Sequence, residues 1–248
     1  MIHSDSWWRF RQFRAPVTRR GRRMHDRQTK SFLAAVLQVA GKHVRVIRAG
    51  TRLWRAQLGN EWVPPLDGIE LDSEARPFRE ERMKPPRKSA TEGRANRKGT
   101  PSVLYLATTR KTAIGEVRPW KEAYVSVGLF EPDRELRIAD CTATSGPILD
   151  GSEASVEKQE EEIWACVGDA FTHPVTANDS SADYAPTQII AELLKVQRFD
   201  GIQYRSLLGT GLNIVLFDRD AAKLKMCQLF RVKNVTFPSC KHRDPEYY

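Results

Sequence analysis

Apolar positions along this chain change their spacing repeatedly, and each change marks an element. SFLAAVLQVA (31–40) sets Phe32, Leu33, Val36, Leu37 and Ala40 on one face of a short helix. TRLWRA (51–56) predicts a strand, as do SVLYLA (102–107), AYVSVGLF (123–130), ELRIAD (135–140) and LNIVLFD (212–218). TTRKTAIGEV (108–117) predicts a short helix with Thr108 or Thr109 as its N-cap. The stretch 152–170 has amphipathic helical spacing, and TQIIAELLKVQ (187–197) predicts a further helix after Pro186. DGIQY (200–204) leads into a Gly/Ser turn. Residues 60–100 are rich in Pro, Gly and charge, a long irregular region of the kind that is usually functional or disordered. No internal repeat is visible. Strands and helices interleave with few clean βαβ units. The expected fold is therefore α+β: a twisted, mainly antiparallel sheet with flanking helices, not a doubly wound one.

Apolar residues make up 40% of the 248, enough for a real core. No run approaches the roughly 18 to 20 apolar residues of a membrane span. The arginine-rich start has no apolar stretch behind it, so it does not read as a secretory signal. A cytoplasmic protein without membrane partners is the expectation. Cys141, Cys166, Cys227 and Cys240 form no CxxC pair, and no histidine has zinc-ligand spacing. Reduced, partly buried thiols are expected, with no metal.

The net charge of +9 is uneven: residues 1–30 carry +7 of it. That arm also holds Trp7, Trp8, Phe10 and Phe13, and aromatics argue that it docks on the body. A second basic cluster runs from Arg82 to Lys98. Such segments attract phosphate in nucleic acid, headgroups or dinucleotides, or they stay simply solvated.

Four segments place unusual polar residues beside strands. Arg55 lies in Leu53-Trp54-Arg55-Ala56-Gln57, where it either faces water on an edge strand or is satisfied by an anion such as a pyrophosphate. Gly93 to Pro101 carries Arg94 between glycines and leads to Tyr105, which reads as a ligand loop with a stacking ring or as a solvent loop with a core tyrosine. Glu116 sits among apolar neighbours near a helix end. It is either a carboxylate for a ribosyl cation or a partner of Arg118 or another cation. Ser206 and the turn Gly209-Thr210-Gly211-Leu212-Asn213 read as a ligand loop or as a hairpin turn, since a lone GTG is weak evidence for phosphate.

The order of these segments resembles the RES domain family, named for an Arg, a Glu and a Ser. Its "LYRA"-like strand corresponds to Leu53-Trp54-Arg55-Ala56, and its "GRxNPxGxPxLYLA" to Gly93 through Ala107. "TAxxEvRP" corresponds to Thr112 through Pro119, "YxxTQxIAE" to Tyr184 through Glu192, and "DGIxYxSSxGxGxNLVLFD" to Asp200 through Asp218. The resemblance covers about residues 45–220. The sequence departs from it at Arg97 for proline, Leu207 for the second serine and Trp54 for tyrosine, none of them an R, E or S position.

The resemblance implies a fold like ADP-ribosyltransferase toxins and an enzyme whose substrate is NAD⁺. Arg55 and Arg94 would hold the pyrophosphate and Tyr105 would pack on the nicotinamide side, with Arg94 and Tyr105 also in the catalytic set. Glu116 would act at the ribosyl centre. Ser206 would bind the nicotinamide part or a phosphate, and Asn213 would support that loop. The implied reaction is cleavage of the nicotinamide–ribose bond by hydrolysis or phosphorolysis, as in toxins that deplete NAD⁺. Mono-ADP-ribosyl transfer to a protein is the alternative. The family also implies a cognate antitoxin and is compatible with a homodimer. The organisation read from this is a basic N-terminal extension (1–41), a catalytic domain (42–220) and a C-terminal extension (221–248). From another class, the basic arm reads as a nucleic-acid-binding module, although no helix-turn-helix, zinc-finger or RNP pattern accompanies it. A third reading keeps the fold as a binding protein without activity, against which stand Arg55, Arg94, Glu116 and Ser206.

Overall fold

The computed structural model describes residues 10, 12–15, 27–64, 73–89, 91–143, 155–173 and 181–236. Trp7, Trp8, Cys240 and the start of the helix predicted over 152–170 lie outside them. Eight strands form one sheet. They are β1 (Val44–Ile47), β2 (Leu53–Leu58), β5 (Leu104–Ala107), β6 (Tyr124–Pro132), β7 (Leu136–Cys141), β8 (Gly201–Arg205), β9 (Leu212–Leu216) and β10 (Ala222–Arg231). Their order is β1-β7-β8-β9-β5-β2-β6-β10, and β3 (Glu61–Val63) with β4 (Glu74–Arg76) makes a separate two-stranded hairpin. All neighbours in the large sheet are antiparallel except β7 and β8. The helices are α1 (Arg27–Ala40), α2 (Glu80–Met83), α3 (Arg110–Glu116), α4 (Val156–Thr172) and α5 (Ala185–Val196). This is the expected α+β class with a mainly antiparallel sheet.

Strand alternation sorts the side chains into two layers. Ala139, Ile202, Val215 and Tyr105 lie in register on one face, where Trp164 and Phe171 of α4, Ile190 and Leu194 of α5 and Val36 of α1 cover them. Ile138, Leu216 and Leu104 share the opposite face with Phe130, Phe78 and Met83. The parallel β7–β8 pair requires a crossover, and α4 and α5 supply it. Ser155 caps α4 by accepting from the Lys158 amide, and Pro186 sits in the first turn of α5 after a 3₁₀ turn at Ser181–Tyr184.

The described part of the arm docks as its aromatics predict. Phe13 is buried and stacks on Phe32 of α1 with ring centroids 4.9 Å apart, and Phe10 lies 5.9 Å from the same ring. The arm therefore contributes to the core over α4 and α5.

The stretch 60–100, read as irregular, contains β3, β4 and α2, and in the large sheet two strands escape the sequence pattern because they are its edges. β1 buries Ile47 alone, and β10 interleaves lysines with half-buried residues. Short or charged edges of this kind resist further pairing and leave little period-2 signal. β10, placed with the C-terminal extension by its sequence, pairs with β6 from Ala222↔Pro132 to Arg231↔Tyr124. Cys141 and Cys166 are buried free thiols and Cys227 is half-buried; burial pushes the latter two up to about 11. Among the described residues no helix is long and apolar enough to cross a membrane.

Trp164 ties α4 to the sheet. It is fully buried, its Nε1 donates to the Asp140 carbonyl at 2.6 Å, and the His43 ring stacks on it at 5.2 Å. Trp164→Ala should cost roughly 3–5 kcal/mol of stability, read as a lowered urea midpoint.

Candidate active site

The site begins where the sheet stops pairing. β2 is an interior strand that runs against β6 over its whole length, yet it meets β5 through one residue pair, Trp54↔Ala107. Beyond that bridge the two strands part. In an uninterrupted ladder Ala56 would face Tyr105; instead both line a cavity of about 550 Å³. Arg55 crosses the gap, its Nη1 donating to the Tyr105 carbonyl at 3.1 Å. The solvent-facing edge-strand reading of Arg55 is thus set aside, because β2 has strands on both sides.

Arg55 is held charged at some cost. Burial lowers its pKa to about 10, so it still carries a full positive charge at neutral pH. Among the described residues its buried Nε has no hydrogen-bond partner. A cation with a spare donor on the wall of a cavity is suited to an anion.

Glu116 ends α3 and lines the same cavity. Its Oε1 accepts from Ser206 Oγ and from Asn213 Nδ2, each at 2.7 Å. Among the described residues its Oε2 has no partner and the carboxylate makes no ion pair, so the alternative reading, a link to Arg118 or another cation, is not formed. One oxygen is anchored and the other, among the described residues, is unengaged. Ser206 and Asn213 thus both turn toward Glu116, where their motif implied contact with the ligand for one and support of the loop for the other. Ser206 Oγ also accepts from the Leu208 amide.

Short hydroxyl side chains bring the glycine turn to α3. Thr109 caps the helix, accepting from the Thr112 amide at 3.1 Å. Thr112 Oγ1 accepts from the Gly211 amide and Thr108 Oγ1 from the Leu212 amide. Two of the turn's amides, those of Gly211 and Leu212, are therefore spent on threonines. A Cβ on Gly211 would meet Thr112 Oγ1 at 2.6 Å, and one on Gly115 would meet the Leu208 carbonyl at 2.5 Å. These glycines let the β8–β9 hairpin press close enough for Ser206 to reach Glu116.

Arg94 lines a narrower compartment of about 70 Å³ that adjoins the main cavity and shares Glu116, Tyr204 and Asn213 with it. Its Nη1 donates to the Phe171 carbonyl. Arg55 and Arg94 thus lie in different compartments, and Glu116 belongs to both. On the other side, Arg55, Gln57 and Tyr105 also line a cavity of about 610 Å³ with Arg82 and Lys84. Arg55, Tyr105, Glu116 and Asn213 thus line one cavity, Arg94 lines a neighbouring one that shares Glu116 and Asn213, and Ser206 joins them through its bond to Glu116.

Tyr105 plays a double part. It lines the main cavity, but its hydroxyl donates to Asn96 Oδ1 at 3.0 Å and accepts from the Ala95 amide. Burial pushes its pKa up to about 12, so the phenol stays protonated. The hydroxyl is therefore a tether for the Arg94 loop. Gln188, Asn96 and Tyr204 were quoted within motifs but given no role by sequence. Gln188 is fully buried and its Nε2 donates to the Gly93 and Asn96 carbonyls at 2.8 and 2.9 Å. Arg97 pairs with Glu192 one helical turn further along α5. The available signal was a glutamine on the apolar face of a helix, a position that requires polar partners.

Gln188→Leu removes the two side-chain bonds that tie the loop to α5 and leaves the Gly93 and Asn96 carbonyls only the bonds they exchange with each other's amides. It should destabilise the protein by about 1–3 kcal/mol, measured by denaturant unfolding. Gln188→Glu should not restore stability, because a carboxylate cannot donate.

The RES domain family matches residues 52–237, a span that takes in all four chemistry-bearing segments. No curated protein matches the chain. Among solved structures, a chain in the crystal structure of the M.tuberculosis MbcT-MbcA toxin-antitoxin complex is similar at 13% identity and TM-score 0.43, over 80% of this chain and 92% of that one. With most of its length inside the family match, the chain belongs to the RES domain family.

Proposed function

We propose that this protein binds NAD⁺ in the opened seam between β2 and β5 and cleaves the bond between nicotinamide and ribose. One observation carries the reading: Glu116, with a free Oε2, faces a cavity of about 550 Å³ together with Arg55 and adjoins Arg94. That volume lies in the range of small-molecule sites. Membership of the RES domain family supports the same substrate.

The chemistry follows from charge. The two arginines attract the diphosphate by charge-assisted hydrogen bonds, and that binding orients the far end of the substrate. The C–N glycosidic bond breaks with its electron pair leaving on nicotinamide, which becomes neutral. Positive charge remains at the ribosyl carbon. The free oxygen of Glu116 stabilises it and aims the incoming nucleophile. Water, phosphate or a protein side chain then supplies the electron pair and gives up its proton. Ser206 and Asn213 hold the carboxylate in one orientation, and Tyr105 with Gln188 holds the loop that carries Arg94.

Release of nicotinamide from NAD⁺, followed with and without phosphate, tests this directly. Glu116→Gln keeps an acceptor for Ser206 and Asn213 but removes the charge. It should lower kcat by about 100-fold or more while NAD⁺ affinity changes little. Arg55→Ala should mainly raise KM, by about 10- to 100-fold. Full turnover by Glu116→Gln would remove the carboxylate from the mechanism.

A further inference from the structure

We propose that Tyr204 is a further substrate-contacting residue, whose hydroxyl hydrogen-bonds the sugar lying between the two ends of the cleft. This rests on the reading of the site as an NAD⁺-cleaving centre and adds a residue to it. Tyr204 belongs to β8 and stands directly opposite Asn213 of β9 in the ladder, so the two share a face. Asn213 holds Glu116. On its other side the Tyr204 ring packs on Phe171 with centroids 5.8 Å apart, and the Arg94 guanidinium lies 6.0 Å from that ring. Phe171 also accepts the Arg94 hydrogen bond through its carbonyl. Tyr204 therefore sits between the anion-binding arginine and the carboxylate, and it lines both the main cavity and the narrow compartment.

Its hydroxyl is the anomaly. Tyr204 is 5% exposed. Among the described residues its hydroxyl has no hydrogen-bond partner. The oxygen itself is not sealed off, and the residue lines two cavities, so this unpaired phenol is open to a ligand rather than a buried orphan. The hydroxyl of Tyr105, on the next strand but one, has two. Burial pushes the Tyr204 pKa up, with the nearby Tyr105 and Glu116 acting the same way against Arg94, so the group is a protonated donor. In a nucleotide, the group joining the phosphate to the glycosidic carbon is the ribose. A side chain standing between the residues for those two ends faces the ribose hydroxyls.

Tyr204→Phe keeps the ring against Phe171 and removes only the hydroxyl. Its melting temperature should match the wild type, because no protein contact is lost. On NAD⁺ its kcat/KM should fall about tenfold, the loss of one hydrogen bond. The decisive comparison uses NAD⁺ analogues lacking the 2′- or the 3′-hydroxyl of the nicotinamide ribose. With the analogue missing the contacted hydroxyl, wild type and Tyr204→Phe should turn over equally, since the two deletions remove the same interaction. No loss on NAD⁺, or an equal loss on NAD⁺ and both analogues, overturns the proposal and leaves the NAD⁺ reading standing. A wild-type chain that releases no nicotinamide overturns the parent reading and this one with it.

Discussion

A single backbone bridge governs this molecule. The only backbone pairing of β2 with β5 is Trp54↔Ala107, so an eight-stranded sheet carries a split in its middle. A sheet does not open inside without a reason, because each separated strand forgoes ladder hydrogen bonds. Here β6 holds β2 from one side and β9 holds β5 from the other, which lets the seam stay open without the sheet falling into two. Arg55 spans the gap with a side-chain hydrogen bond where the ladder would have had a backbone one. The cleft is thus a consequence of pairing, and its walls are as rigid as the strands that form them.

Two groups of interactions then orient the side chains proposed to act. One surrounds Glu116: threonines at the start of α3 hold the glycine turn, and the turn delivers Ser206 to the carboxylate. The other surrounds Arg94: Tyr105 and Gln188 grip the loop on either side of it. The family's named Arg, Glu and Ser positions are only part of this arrangement. Each depends on a partner whose task is positional, and those partners come from separate elements that meet only in the folded chain.

The sequence revealed much of this, though unevenly. Strands buried on both faces, such as LYLA of β5 and the LNIVL run of β9, show continuous apolar runs and were legible. α3 was legible with its Thr109 cap. The edge strands were not, because β1 and β10 bury few side chains and their lysines and arginines break the alternation. At the site, the motif order brought Arg55, Arg94, Glu116, Ser206 and Asn213 into view, and the fold sets them around two neighbouring cavities that share Glu116 and Asn213, with Ser206 bonded to Glu116. What a linear reading could not give is direction. Ser206 and Asn213 point to Glu116, and the Tyr105 hydroxyl points away from the cavity into the loop. Such orientations depend on register across β5, β9 and β8, which residue types alone do not encode.

Arg97 draws out one more property of the arginine loop. Where the family often has a proline, this chain has a cation paired with Glu192, a link about one-third to one-half exposed. Proline stiffens a loop in any medium by fixing its backbone, whereas an ion pair at the surface weakens as counterions accumulate. The loop therefore has a salt-indifferent anchor in Gln188 and a salt-sensitive one in Arg97. The stiffness with which it presents Arg94 should vary with ionic strength in this chain, and would not do so where a ring occupies that position.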